Sequence, residues 1–416
     1  MIYLRFESMK IAMISYHTCP LATLEGGEIG GANTYILELS KELSRQGHQV
    51  DIYTRTQRTS DPPVVKIRQN LRLIHLKAGP RRNVLKRHLV KYFDEFVKNY
   101  QSFTQKEKLE YDLFHCHYYM SGLIGLLLKK NGGRKPMVLS FHTLALMKNL
   151  VARGEQEKEG NKRIDAEYLL TKSADAIIAP SLSDATYLKA LYDVDPKKIN
   201  VIPPGVNLKL FRPLNKISSR LLTGARGNKI VLFVGRIEPL KGLDMLLYSV
   251  KLLLMRRPDL KFCLWIVGGN VNKNPKLWSH HLKTILQLRQ TLGLNTIVKF
   301  VGQKPQSKLP YYYNSAEIVV MPSHYESFGM VALEAMACGR PILTSNATGI
   351  SEILDKKFQN LTTSVNNPLL LSYQMEKVLE DKNLRSELKT EGLRKSAPLS
   401  WQLITQKVIN VYQKLL

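Results

Sequence analysis

Cysteine is scarce: the chain holds four, Cys19, Cys116, Cys263 and Cys338, scattered and with no Cys-x-x-Cys pair. That spacing argues against a disulfide framework or a zinc site and fits a reducing cytoplasm. Long apolar runs are absent too. The longest, around Leu123 to Leu128, is interrupted by Gly122 and Gly125 and falls well short of the ~18 residues of a membrane span. The N-terminal stretch carries Arg5 and Glu7 and no extended apolar core, so no signal peptide is expected, and residues 1–8 read as an extension ahead of a first strand at Met9 to Ser15. There is no low-complexity segment, no short internal repeat and no Gly-x-Gly-x-x-Gly dinucleotide fingerprint.

Acidic residues are also in short supply: 34 Asp and Glu against 61 Lys and Arg leave a formal charge of +27. Such a balance points to anionic partners, whether phosphorylated small molecules, an anionic lipid surface or nucleic acid. No nucleic-acid motif accompanies the charge, so nucleic acid is set aside. The densest basic stretch, Arg81, Arg82, Lys86, Arg87 and Lys91, is interleaved with Leu85, Leu89, Val90 and Phe93 and predicts a basic amphipathic helix. The favoured reading is a solvated face beside an anion-binding cleft; peripheral contact with a membrane is the alternative. His115 and His117 share one face of a strand, with no nearby carboxylate or thiolate to complete a metal site, and are read as structural.

What is present is the composition of a soluble globular protein, 44% hydrophobic and 23% charged, over 416 residues, enough for two domains. In the first half, strands are expected at Gln49 to Tyr53, Leu71 to Leu76, Leu113 to Cys116, Met137 to Phe141, Ala176 to Ala179 and Ile199 to Ile202. Helices fill the gaps, one with Ile36, Leu39 and Leu43 on a single face and one over Glu155 to Thr171. Repeated β-α units imply a parallel sheet covered on both faces. Pro203-Pro204-Gly205-Val206-Asn207 opens a linker, and a second α/β series begins with a strand at Lys229 to Val234. Its further strands are expected at Lys261 to Val267, Ile297 to Val301, Ile318 to Met321 and Pro341 to Thr344. The tail carries Trp401, Leu403, Ile404, Val408 and Val411 at helical spacing. The domains are therefore read as 1–207 and 208–399, with a C-terminal helix over 400–416.

One stretch stands out: Pro322-Ser323-His324-Tyr325-Glu326-Ser327-Phe328-Gly329-Met330-Val331-Ala332-Leu333-Glu334-Ala335-Met336-Ala337-Cys338-Gly339-Arg340-Pro341. It places Glu326 on a strand-to-helix loop and Glu334 in the helix behind it. Exposed N–H groups at that helix start attract an anion such as phosphate, and two carboxylates can accept hydrogen bonds from sugar and ribose hydroxyls. Gly235-Arg236-Ile237-Glu238-Pro239-Leu240-Lys241-Gly242 follows the first strand of the second series; Arg236 can fork onto phosphate oxygens and Lys241 supplies a compact charge. Gly30-Gly31 opens a helix and Gly268-Gly269 ends a strand, both allowing close backbone approach to a diphosphate or base.

The long string resembles the donor-binding motif of retaining GT-B glycosyltransferases, in the large family that includes sucrose-phosphate synthase and the mycothiol-pathway inositol-phosphate glycosyltransferase. The resemblance implies a GT-B fold: two Rossmann-like α/β domains facing across a cleft, with the C-terminal helix crossing back onto the first. It implies transfer of a sugar from a nucleoside diphosphate sugar, a UDP-sugar such as UDP-Glc or UDP-GlcNAc, as co-substrate, with no resident cofactor or metal. Glu326, Ser327, Phe328 and Gly329 would hold the donor sugar, Glu334 the ribose, and Gly235, Arg236, Lys241 and the glycine pairs the diphosphate. The match also assigns His142 to substrate positioning beside the donor sugar, which puts His142, Glu326, Arg236 and Lys241 in the catalytic set. Asn33, Lys86, Tyr118, Thr143 and Arg163 match positions that hold a phosphorylated acceptor such as inositol phosphate or fructose 6-phosphate. Asp193-Val194-Asp195 looks like a metal-binding Asp-x-Asp but reads as a solvated turn before Pro196. One departure is Thr348, where the family has the first of two glycines; it puts the fit of the donor in question. The alternatives are a lipid-linked or polysaccharide acceptor at the inner face of a membrane, and a nucleotide-sugar epimerase.

Overall fold

The computed structural model describes residues 8–22, 30–132, 135–225, 227, 229–271, 274–359 and 361–416. Residues 1–7 of the expected extension and residues 26–29 of the glycine-rich loop lie outside them. The chain divides into two compact units. Unit 1 comprises the chain up to Leu150, Gly154–Gly205 and Trp401–Leu416; unit 2 comprises Val151–Arg153 and Val206–Ser400.

In unit 1 the strands are β1 (Lys10–Ile14), β2 (Gln49–Arg55), β3 (Val64–Arg68), β4 (Leu71–Leu76), β5 (Leu113–His117), β6 (Met137–Ser140), β7 (Ala176–Ala179) and β8 (Ile199–Val201). They form an eight-stranded sheet in the order β3-β4-β2-β1-β5-β6-β7-β8. The expectation of a purely parallel sheet fails at β3, which pairs antiparallel with β4. Only Gln69 and Asn70 separate these two strands, too short a link for a parallel crossover, so the chain turns back on itself as an edge hairpin. The interior strands are buried on both faces, as a sheet covered by helices on each side requires. From β1 the connections run one way to β2 and β4 and the other way to β5 and β6. The crevice at the carboxyl ends of β1 and β5 is thus the switch point where such sheets bind ligands.

Two helical expectations in unit 1 are corrected. The basic stretch is not one amphipathic helix: Arg81 and Arg82 lie in a loop, and a 3-10 helix spans Lys86–Tyr92 before an α-helix at Phe93–Lys106. Leu89 and Phe93 turn into the core while Leu85 and Val90 face outward, 63% and 50% exposed, so the four apolar residues do not line one face. The helix foreseen over Glu155 to Thr171 is a short 3-10 turn, Glu155–Glu157, then an α-helix at Asn161–Ser173 that starts from Gly160.

Unit 2 has β9 (Lys229–Val234), β10 (Phe262–Val267), β11 (Val298–Gly302), β12 (Ile318–Met321) and β13 (Ile342–Thr344), all parallel in the order β11-β10-β9-β12-β13. Its switch point lies at β9 and β12. Val231, Phe233, Leu264 and Ile266 of the sheet pack with Leu246, Leu247 and Val250 of the helix Leu243–Arg256 and with Met375 and Val378 of the helix Pro368–Glu380. The C-terminal helix Trp401–Gln413 belongs to unit 1, as the resemblance implied, and packs on the helix Gly31–Arg45. Trp401, Ile404, Val408 and Tyr412 are buried; Leu403, two residues and about 200° around the helix from Trp401, is half exposed instead of joining them.

Candidate functional site

Unit 2 brings its site together from loops at one end of the sheet. After β9 the chain passes Gly235 and Arg236, makes a 3-10 turn at Pro239–Lys241 and enters the helix Leu243–Arg256 through Gly242, whose φ is +65°. After β12 it passes Glu326 and enters the helix Met330–Ala337 through Gly329, φ +111°, with no side-chain cap at that helix start. The two loops are joined twice: the His324 N–H donates to the Leu240 carbonyl at 2.9 Å, and the Lys241 ammonium forms an ion pair with Glu326. Both partners keep some exposure, 18% and 24% of their side chains, so the pair is reachable from solvent. Arg236 is more exposed and pairs with Glu238 at 2.7 Å.

The glycines here serve the protein's own packing first. A Cβ on Gly268 would lie 1.8 Å from the Gly235 carbonyl oxygen, one on Gly269 2.4 Å from Ile237, and one on Gly242 2.1 Å from the Pro322 carbonyl oxygen. The three loops therefore rest on one another at backbone contact, which fixes the position of Arg236 and Lys241. Thr348, the departure from the family pattern, fits without strain. Its φ and ψ of −125° and 134° are ordinary extended values. Its hydroxyl, 3% exposed, is turned inward to the Thr344 hydroxyl and the Ser345 carbonyl, each at 2.8 Å. Its backbone forms a bridge with Glu326: the Glu326 N–H donates to the Ala347 carbonyl and the Gly349 N–H to the Glu326 carbonyl, both at 3.1 Å.

Glu334 is buried behind this loop. The Tyr313 hydroxyl donates to its Oε2 at 2.7 Å and the Gln306 amide to its Oε1 at 3.4 Å. Burial pushes its carboxyl up to about 7, against the opposing effect of those two hydrogen bonds.

Unit 1 assembles its set from separated segments. Tyr118 follows β5 and His142 follows β6, each with a left-handed backbone, φ +74° and +63°. Non-glycine residues held this way at strand ends are a common mark of functional sites. The Tyr118 N–H donates to the Ser140 carbonyl at 2.8 Å, which ties the two strand ends together. His117 Nδ1 lies 3.1 Å from His142 Nε2, and His115 bonds the Tyr412 hydroxyl at 2.7 Å and the Ser140 hydroxyl at 3.0 Å. His115 and His117 are therefore buttresses, and the C-terminal helix reaches His142 through them. Burial depresses the imidazoles, His115 to about 3 and His142 to about 4, so the rings are neutral near pH 7.

Arg163 anchors the rest. Its Nε donates to Glu167 at 2.7 Å, its Nη2 to the Thr143 carbonyl at 2.8 Å, and its Nη1 pairs with Glu159 at 2.8 Å. The guanidinium carbon lies 4.8 Å from the Tyr118 ring centre, in cation–π range. Lys148 also pairs with Glu159. Burial would raise the Glu159 carboxyl, but the Arg163, Lys148 and Lys86 charges outweigh it and hold the group below the ordinary value. Arg163, Thr143 and Tyr118 thus converge, and the Lys86 charge acts on the same Glu159. Asn33 is committed elsewhere: its Nδ2 donates to the Cys19 carbonyl at 3.1 Å and its Oδ1 accepts from Thr18 at 3.1 Å, which secures the loop after β1. Gly30 starts the helix Gly31–Arg45 with no side-chain cap. Sequence reasoning missed Lys148, Glu159, Glu167, Gln306 and Tyr313. The spacing of Glu159, Arg163 and Glu167 at four-residue intervals was the available signal for two of them.

Two doubly wound α/β units, the second with a Lys–Glu pair and a buried Glu at its switch point, define a GT-B glycosyltransferase. Residues 29–210 match the family described as Glycosyltransferase Family 4, and residues 222–395 the one described as Glycosyl transferases group 1. The chain belongs to this GT-B glycosyltransferase family, whose members transfer sugars from nucleotide sugars. It is 33% identical over 410 residues to the D-inositol 3-phosphate glycosyltransferase of Corynebacterium glutamicum strain R, covering 97% of this chain and 96% of that one. The enzyme of the same name from Thermobispora bispora is 31% identical over 414 residues, covering 98% and 95%. Among solved structures, sucrose-phosphate synthase from Thermosynechococcus elongatus superposes with a TM-score of 0.88 at 28% identity, over 98% of this chain and 99% of that one. Among the described residues no helix is long and apolar enough to cross a membrane.

Proposed function

We propose that the chain moves a hexose from a UDP-sugar to a hydroxyl of a small phosphorylated acceptor, with retention of anomeric configuration. The observation that carries the acceptor reading is the convergence of Arg163, Thr143 and Tyr118 in unit 1, with the Lys86 charge acting on the Glu159 beside them. A phosphate is the ligand that such donors and charges suit. The full-length likeness to enzymes named for an inositol phosphate and for a sucrose phosphate supports the same class.

On the donor side, Lys241 and Arg236 stabilise the charge that builds on the departing diphosphate, and the uncapped start of the helix Met330–Ala337 adds its N–H groups. Glu326 accepts from donor-sugar hydroxyls once the ligand shares Lys241 with it. Glu334 receives the ribose hydroxyls. Retention follows when the acceptor hydroxyl attacks on the face the diphosphate leaves, with a leaving oxygen taking the proton and positioning carrying most of the rate. Neutral His142, held by its histidine neighbours, orients substrate. No divalent metal is needed in this scheme, since the cations and helix end carry the diphosphate charge; full activity after exhaustive chelation is the expected outcome.

The deciding experiment is a matrix of UDP-glucose and UDP-N-acetylglucosamine against inositol phosphate, fructose 6-phosphate and their dephosphorylated forms, with the product anomer read by NMR. Transfer to a phosphorylated acceptor with the α-configuration of the donor kept is expected. Equal transfer to the dephosphorylated forms, or conversion of the nucleotide sugar without any acceptor, overturns the reading.

A further inference from the structure

The proposed acceptor site already contains an anion of the protein's own. Glu159 lies one residue before the glycine that starts the helix Asn161–Ser173. Its carboxylate meets Arg163 Nη1 at 2.8 Å and the Lys148 ammonium, within the field of Lys86. Its main chain is pinned by Asn149, which accepts from the Glu159 N–H at 2.6 Å and donates to the Glu159 carbonyl at 3.0 Å.

The neighbouring Glu167 has a different standing. It is fully buried and takes Arg163 Nε, the Ala145 N–H and the Tyr192 hydroxyl. Those bonds hold the guanidinium plane from the interior side. With Nη2 on Thr143, the nitrogen that remains for a ligand is Nη1, and Glu159 occupies it. Glu159 keeps 24% of its side chain exposed, so it can turn toward solvent, while Arg163, 4% exposed, stays paired with Glu167.

We propose that Glu159 is a placeholder for the acceptor phosphate: its carboxylate neutralises the Arg163, Lys148 and Lys86 cluster in the empty site and is displaced when the phosphate binds. A carboxylate carries one charge and a phosphate monoester close to two at neutral pH. The exchange therefore favours a dianion and works against neutral sugars and monoanionic carboxylates, which makes Glu159 a specificity-determining residue. The inference rests on the reading of this cluster as the acceptor-phosphate site.

The test measures inorganic phosphate binding to the full chain by calorimetry in wild type, Glu159→Gln and Lys86→Met, with UDP binding and thermal melting as controls for the fold. Glu159→Gln should bind phosphate roughly tenfold more tightly, as expected for removing one competing charge, with UDP affinity unchanged. It should also lower the KM for the phosphorylated acceptor and admit acetate, a monoanion, as an inhibitor competitive with it. Unchanged or weaker phosphate binding in Glu159→Gln, with Lys86→Met weaker than wild type, overturns the placeholder and leaves the acceptor site standing. Phosphate binding unaffected in both variants overturns both readings. Should Glu159→Gln melt early, Glu159→Asp decides: a carboxylate drawn back by one methylene loosens its hold, so phosphate binding tightens if the placeholder is real and stays level or weakens if it is not.

Discussion

The two units solve ligand placement by different means. In unit 2 the site is shaped by backbone: three loops touch at Gly242, Gly268 and Gly269, with no room for a Cβ, and the Lys241–Glu326 and Arg236–Glu238 pairs open from them. In unit 1 it is shaped by side-chain charge: Arg163 is suspended between Glu167, Glu159 and the Thr143 carbonyl, with Tyr118 against its face. A backbone-built site is rigid and suits a ligand part that never varies, such as a diphosphate. A site built from ion pairs can be retuned by single substitutions.

That contrast predicts unequal penalties. The largest belongs to Glu326→Gln, which removes the carboxylate that Lys241 orients; turnover should fall by about 10³ with UDP affinity retained, and near-normal turnover would remove Glu326 from the mechanism. Next comes Gly268→Ala. Its Cβ would meet the Gly235 carbonyl oxygen at 1.8 Å and displace the Arg236 loop, so UDP-sugar affinity and turnover together should drop by about 10². If Gly268→Ala binds donor normally, the backbone-built account of unit 2 fails. Lys86→Met comes third: loss of a charge-assisted contact should raise the acceptor KM by roughly 30-fold and leave donor affinity alone. An equal rise in both would show that the two sites are not independent in the way the comparison holds.

The same contrast explains what was legible in the sequence. The unit 2 site lies in contiguous strings, and its strands and loops were placed within a residue or two because the apolar runs at β9, β10 and β12 are bounded by glycine and proline. Unit 1 was harder. Lys86, Tyr118, Thr143 and Arg163 were found by resemblance, but nothing local shows that Glu159 and Lys148 share their space or that Glu167 holds Arg163 from behind. The hairpin strand β3 was missed although Val64 to Arg68 alternates, because Pro62-Pro63 before it reads as a break. The basic stretch misled through composition: helical spacing of Leu89 and Phe93 is real, but Pro80 and the left-handed Gly79, φ +72°, delay the helix and leave Leu85 outside. At Thr348 the sequence shows a lost glycine but not that the position is extended and its hydroxyl faces inward.

The smallest effect concerns a group in unit 2 that escapes this backbone logic. Glu334 is buried, and its carboxyl is pushed up to about 7, so between the ordinary carboxylate value and about pH 7 the folded chain holds a proton that the unfolded chain has released. Stability from this group is therefore greatest at low pH and declines as pH rises toward 7. Donor binding runs the opposite way. Ribose hydroxyls bond more strongly to the carboxylate than to the acid, so affinity should rise as pH passes from 6 to 8, by less than about tenfold, the change in ionised fraction over that window. A nucleotide sugar is the right probe, because its diphosphate is esterified at both ends and does not itself titrate there, as free UDP does. Glu334→Gln should weaken binding at pH 8 and flatten the profile, and its melting temperature should lose the decline between pH 5 and 7. A wild-type affinity that is level across pH 6 to 8, or a slope that persists in Glu334→Gln, would assign the ribose contact to another residue.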